Sequence, residues 1–232
     1  IEDTAEEDIK RKHINAIRNT MADRPRTQQL FSQVCSKLFA FGIKECDLQM
    51  FNPAQGMKRR GKPEKHKSWP DDVIAAFEAS EPPGYVMTAY MLCRYAGARA
   101  SDAMAIRRNE RSDGSVLVQG SKTDNPIWVF EHRELTAYLD TLPATLTLVA
   151  DVDGRSLSYS KVSKALAAHM KIIGHPDYTL HGLRHTTGDM LAEAGCTEHQ
   201  IMSMLGHKST QKAKRYTQGA KQKRMAKAAV VR

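Results

Sequence analysis

The sequence predicts a mainly α chain carrying a small antiparallel β-sheet, and three observations lead there. Apolar residues recur at helical spacing through the first 57 positions and again from Ser158 onward. Between them a single segment, SVLVQGSKTDNPIWVF, has two β-rich runs separated by a polar turn, the pattern of a hairpin. Hydrophobic residues make up 41% and charged residues 26% of the 232 positions, which suits a packed globular core and excludes a disordered tail.

Taken in order, AEEDIKRKHINAIRNT sets Ile9, Ile14 and Ile17 near helical spacing behind leading acids, as the helix dipole favours. RPRTQQLFSQVCSKLFAFG aligns Leu30, Phe31, Val34, Leu38 and Phe41 on one face and stops at Gly42. NPAQG is a turn. Next comes MKRRGKPEKHKSWP, where Lys58, Arg59, Arg60, Lys62, Lys65 and Lys67 crowd a stretch broken by Gly61, Pro63 and Pro70. This composition marks an extended linker, and its density of positive charge suits a strap along phosphates. The sequence therefore divides into a helical domain over 1–57, a basic linker over 58–67 and a second domain over 68–232.

In the second domain DDVIAAFEAS, GYVMTAYMLCRYAG and ARASDAMAIRRNE read as helices, the middle one almost wholly apolar and so buried. The hairpin follows, and LTLVAD is a candidate third strand. Beyond Ser158 lie five helical segments, with STQKAKRYTQ and KQKRMAKAAV as the last two. No apolar run approaches the roughly 20 residues that span a bilayer. The N-terminus lacks a signal-peptide core and an initiating Met, the marks of a cytoplasmic fragment or processed chain. The four cysteines are scattered with no CxxC pair, which reads as free thiols. A net charge of +9 favours a polyanionic partner, with nucleic acid the first candidate.

The chemistry concentrates in LHGLRHTTGDMLAEAGCTEHQIMSMLGHKSTQKAKRYTQG. His181 and His185 stand four apart, a spacing that serves zinc on a helix. The residues between them include no Glu, and Arg184 would set a permanent cation beside a divalent one, so a metal is the weak reading. Arg99 follows Gly97 and Ala98 at the end of a very apolar helix, where the glycine lets the chain turn and project the arginine. Lys122 sits at the hairpin tip. Arg99, Lys122, His181, Arg184 and His207 together supply donors and no carboxylate, a set suited to a phosphodiester. Tyr216 lies among Lys212, Lys214 and Arg215, cations able to lower the pKa of a phenol that is otherwise a poor nucleophile.

These residues resemble a known pattern. YAGARASD is similar to the first arginine box of the tyrosine recombinases of the phage integrase type. HGLRHTTGDMLAEAG is similar to their His-x-x-Arg box, and LGHKSTQKAKRYTQ to their closing His-to-Tyr box. GSKT falls where their hairpin lysine lies, and NPAQGMKR resembles the exit from their helical core-binding domain, here a shortened one. Ala98 replaces the commoner Leu, and RRNERSDGS is polar where members often carry a Trp.

The resemblance implies the integrase catalytic fold behind a core-binding domain, and a site-specific DNA recombinase that integrates or excises a mobile element or prophage. It gives Tyr216 attack on a backbone phosphate through a 3′-phosphotyrosyl link. Arg99, Arg184 and His207 would clamp the phosphate oxygens, Lys122 would protonate the leaving 5′-oxygen, and His181 would assist proton transfer at the tyrosine. Asp102 would support the arginines, and His185 would orient its neighbours. No cofactor, metal or ATP is implied, because the covalent link stores the bond energy. The implied partners are double-stranded DNA attachment sites, a homo-tetramer on paired sites, and an accessory DNA-bending or excision factor, in a bacterial or phage setting. The basic tail KQKRMAKAAVVR would dock on a neighbouring protomer. Relaxation of supercoils in the manner of a type IB topoisomerase, a catalytically idle DNA-binding factor on the same fold, and a metal-dependent nuclease are the alternatives the sequence leaves open.

Overall fold

A computed structural model describes residues 9–58, 66–120 and 126–230, with side chains described as far as Ala220. The chain forms two compact units, Ile1–Lys65 and His66–Arg232.

In the first unit, α1 (Arg11–Asn19) and α2 (Pro25–Glu45) are held by polar contacts. Pro25 opens α2 at a position where a missing N–H costs nothing. Gln28 Nε2 donates to the Arg18 carbonyl at 2.9 Å, and Asn52 Nδ2 to Ser36 O at 2.7 Å. Arg18 Nη2 donates to Lys58 O at 2.6 Å, and Arg11 Nε to Pro53 O at 3.2 Å, so the turn after α2 folds back on α1. As a result α2 buries Gln28, Ser32 and Gly42, and its predicted apolar stripe lies on the other side. Leu30, Val34, Leu38 and Phe41 are all more than half exposed.

The second unit holds the large core. It runs through α3 (Asp71–Glu78), α4 (Gly84–Tyr95), the short α5 (Ala100–Ala103), the sheet, α6 (Arg133–Asp140), α7 (Tyr159–Ile172), α8 (Leu180–Glu193), α9 (Glu198–Leu205) and α10 (Thr210–Val230). As its composition predicts, α4 is the central element: Val86, Ala89, Tyr90, Leu92 and Cys93 have no exposed surface. It packs against α8, α6 and α7, and α8 in turn carries α9 and α10. The residues entering this unit are tied to α8 and the turn before it. Trp69 N donates to Thr186 Oγ1 at 2.7 Å, its indole N–H to Thr179 O at 2.9 Å, and Ser68 Oγ to Asp189 at 2.6 Å. Gly182 permits this approach, because a Cβ there would collide with the Lys67 carbonyl and the Trp69 ring.

The three-stranded sheet has order β1 (Arg111–Ser112), β2 (Ser115–Val118) and β3 (Ile127–Phe130), all antiparallel. The hairpin runs pair as expected, from Ser115 opposite Phe130 to Val118 opposite Ile127. The third strand is not LTLVAD, which contributes only isolated bridges at Thr147 and Ala150. It is Arg111–Ser112, turned back by Asp113 and Gly114 at φ 50° and 66°. An Asp-Gly pair with both φ positive is the preferred two-residue hairpin turn, and it wins over a β-rich run with no partner edge. A second difference lies at the C-terminus, where one continuous helix, α10, replaces the two predicted segments. Its turns of Lys, Gln, Arg and Ala are good helix formers, and one Gly219 is too weak to break them.

The four cysteines are free thiols. Among the described residues no helix is long and apolar enough to cross a membrane.

Candidate active site

Helix α8 builds one wall of a cleft. His181, Arg184, His185 and Gly188 recur at i, i+3, i+4 and i+7 and so share a face. Helix α9 builds the floor. It starts on a Thr197–Gln200 capping box and ends at Gly206, whose φ of 57° turns the chain sharply into His207. Helix α10 then brings Lys212, Arg215 and Tyr216 to the facing side. Arg99 enters from the turn after α4, where Gly97 adopts φ 58° against Leu205 and Thr187.

The two arginines meet at the C-terminal end of α9. Arg184 donates to the carbonyls of Gly97 and Leu205 and is 5% exposed. Arg99 Nη2 donates to Gly206 O at 3.3 Å and Nη1 to the fully buried Asp102 carboxylate at 3.4 Å. The free carbonyls of a helix C-terminus favour cations, which explains how two guanidinium groups gather with a single carboxylate. Burial, with Arg99 nearby, lowers the Arg184 pKa to about 10, so it remains charged at neutral pH.

Tyr216 is 5% exposed and fits because Gly188 has no side chain: a Cβ there would stand 2.7 Å from the ring. Its hydroxyl pairs with His185 Nδ1 at 2.9 Å, its ring stacks parallel to His207 with centroids 6.4 Å apart, and Arg215 lies 5.3 Å over the ring. Cations from α10 were expected to lower the phenol's pKa. Arg215 and Arg184 do act in that direction, but burial outweighs them and raises it. Burial also lowers His207 and His185 to about 4, with neighbouring cations adding to the effect, so both imidazoles are neutral. The buried Nδ1 of His207 has no hydrogen-bond partner among the described residues.

Together Arg99, His181, Arg184, His185, His207, Gln211, Lys212, Arg215 and Tyr216 line an open cleft of about 420 Å³ with no carboxylate in its lining. The sequence singled out most of this set. It did not single out Gly188 or Gln211, it named Arg215 only as a cation beside the tyrosine, and the resemblance gave His181 the role of assisting the tyrosine's proton. The ring bonded to the hydroxyl is that of His185, while His181 meets His185 edge-on at 5.1 Å and His66 at 4.7 Å. Histidines four apart on a helix both face the cleft, so spacing alone could not choose between them. Among the described residues no group of three or more His, Cys, Asp or Glu side chains is arranged so that it could hold a metal ion.

Lys122 lies outside the described residues, as do Arg59, Arg60, Lys62 and Lys65 of the basic segment. Of the remaining two, Lys58 is exposed, and Lys67 Nζ reaches Asp177 at 2.6 Å with both side chains mostly exposed.

The chain is similar to several known proteins. The chain is 29% identical over 164 residues to tyrosine recombinase XerC of Rickettsia typhi, an alignment covering 64% of this chain and 54% of that protein. It is 32% identical over 125 residues to an integrase of Mycobacterium phage D29, covering 49% of this chain and 33% of the phage protein. The chain thus spans about half the length of the curated XerC relative. Among solved structures, a lambda integrase dimer bound to a COC′ core site shares the fold with a TM-score of 0.81 at 22% identity, covering 93% of this chain and 66% of the other. The Phage integrase family model matches residues 71–223, the span from the start of α3 into α10 that contains the whole cleft. With well over half of its length inside that match, the chain belongs to the phage integrase family.

Proposed function

We propose that this chain is the strand-cutting and rejoining part of a site-specific DNA recombinase. Tyr216 attacks a backbone phosphate and forms a 3′-phosphotyrosyl link, freeing a 5′-hydroxyl. Arg99, Arg184 and His207 bind the non-bridging oxygens, where charge grows in the transition state. Lys122 protonates the leaving oxygen, His181 completes the donor set, and Asp102 steadies Arg99. The observation that carries this reading is the shared cleft, where a tyrosine faces two guanidinium groups and a neutral imidazole with no lining carboxylate. Carboxylates would repel a phosphodiester, whereas uncompensated donors attract one.

The helical unit forms a core-binding domain, and the basic stretch over 58–67 adds phosphate contacts whose strength falls as salt rises. Double-stranded attachment sites are the substrate, bound by four copies on paired sites with an accessory DNA-bending or excision factor, in the cytoplasm of a bacterium. Integration or excision of a mobile element or prophage is the outcome. Similar solved structures support the multimer, since lambda integrase is seen as a dimer on a core site and as a tetramer on a Holliday junction.

The test uses a pool of random-sequence duplexes nicked near the centre, so that the short fragment released by cleavage diffuses away and traps the adduct. The native chain is expected to yield covalent protein–DNA species whose sequencing gives the junction, and Tyr216→Phe none. Adduct formation by Tyr216→Phe would refute the assignment.

A further inference from the structure

Burial holds the Tyr216 phenol above its ordinary pKa, so the nucleophile rests as a protonated hydroxyl and its proton needs an acceptor. The group in place is His185, with Nδ1 2.9 Å from the hydroxyl. The same nitrogen lies 3.2 Å from Arg215 Nη2. A guanidinium carries donors only, and an imidazole nitrogen offers one lone pair. Two donors therefore converge on one acceptor, which sets the proton of neutral His185 on Nε2 and leaves Nδ1 shared. Arg215 is an exposed side chain on the cleft wall beside Arg184 and Arg99. Anionic phosphate oxygens are stronger acceptors for a guanidinium than a neutral imidazole is.

We propose that His185 is the base that accepts the Tyr216 proton, and that Arg215 occupies its lone pair until a DNA phosphate draws the guanidinium away. The base is thereby unmasked only when substrate is present. This rests on the reading of Tyr216 as the nucleophile. In the step, the Tyr216 O–H bond breaks and the proton passes to His185 Nδ1, giving an imidazolium. The oxygen's electron pair forms the bond to phosphorus. The bond from phosphorus to the 5′-oxygen breaks, and that oxygen keeps the pair and takes a proton from Lys122. The groups facing His185 are His181 and Arg184 on its own helix, Arg215 and Tyr216 on α10, and His66 ahead of α3. One carboxylate, Asp189 a turn further along α8, acts on Tyr216 and accepts from Ser68. None of the groups that face His185 is acidic at neutral pH, so once burial has weakened the imidazole's basicity, displacement of Arg215 is the change that restores it.

Two measurements on the full chain test this. In the first, histidine ring nitrogens are followed by NMR through a pH titration. Arg215→Met, which keeps the stem and removes the donors, is expected to raise the His185 pKa from about 4 by about one pH unit or more. Sulfate, a tetrahedral anion that does not titrate in this range, is expected to raise it in the native chain and to do so less in Arg215→Met. An unchanged His185 titration in Arg215→Met overturns the masking role. In the second, His185→Gln can still hydrogen-bond the hydroxyl but cannot take its proton. On duplexes recovered from the nicked pool it is expected to slow adduct formation about 100-fold or more, with duplex affinity within about twofold of native. The defect should persist when sulfur replaces the bridging 5′-oxygen, a leaving group that needs no acid, whereas Lys122→Ala should recover on that substrate. Adduct formation by His185→Gln within about threefold of native overturns the base assignment. The NMR experiment needs no cleavage, so its outcome stands apart from the Tyr216→Phe test of the functional reading.

Discussion

Two arginines of the second unit, Arg111 on the sheet and Arg184 in the cleft, stand in opposite surroundings. On the sheet, Arg111 meets Glu131 through two hydrogen bonds of 2.6 and 2.9 Å and Asp140 at 2.7 Å, and Thr136 donates to the same Glu131 carboxylate. Its hydrogen bonds to Glu131 outweigh burial and raise its pKa. In the cleft, Arg184 has two backbone carbonyls and another arginine for company, and burial lowers its pKa to about 10. The first guanidinium is neutralised by the fold. The second is desolvated and shares the one Asp102 carboxylate with Arg99, so burial outweighs that attraction and works against its proton, and an arriving anion would relieve that cost. One arginine holds the sheet to α6; the other lines the open cleft.

Exchange of each arginine for lysine is the severest way to break this contrast. Arg184→Lys loses the fixed fork of donors and is expected to slow covalent adduct formation about 10²–10³-fold. Arg111→Lys should leave cleavage nearly native and instead lower the unfolding free energy by about 2 kcal/mol, measured by urea denaturation. Equal cleavage losses in the two variants would dissolve the distinction.

A smaller effect sharpens it. Sulfate that binds only the folded chain stabilises it by mass action, about 2.7 kcal/mol at a hundredfold excess over its dissociation constant. Sulfate should raise the melting temperature of the native protein and of Arg111→Lys, and have little effect on Arg184→Met. A full response from Arg184→Met would place the anion elsewhere.

The smallest effect is acid sensitivity at the sheet. Burial would raise Glu131, but its bonds to Arg111 and Thr136 prevail and hold its pKa below the ordinary carboxylate value. A depressed folded pKa means that this stabilisation is fully present above the unfolded carboxylate value of about 4.3 and is lost as pH falls through the folded value. Glu131→Gln should be less stable than native at neutral pH, and the gap should narrow in urea melts taken below about pH 4.

The helices and the cleft's principal residues were legible because each announces itself locally. Gly97 before Arg99, the Thr197–Gln200 cap, and the apolar run of α4 are short-range patterns with one good solution. The β1 strand was also locally encoded, in Asp113-Gly114, although LTLVAD has the greater β-propensity. The stripe on α2 misled for a different reason. Periodicity shows that a face is apolar, but not which neighbours the rest of the chain supplies, and here α1 and the turn over 52–58 lie against the polar side.

By itself the sequence determined the fold class, most of the helices, the hairpin and the residue types offered to a phosphate, since propensity, capping and residue chemistry are properties of short segments. Only the tertiary structure decided which histidine touches the tyrosine, which arginine has a carboxylate pair to itself and which shares one, and that burial outweighs the cations around the phenol. Each of those outcomes depends on distances between segments far apart in the chain and on how much water packing leaves beside them.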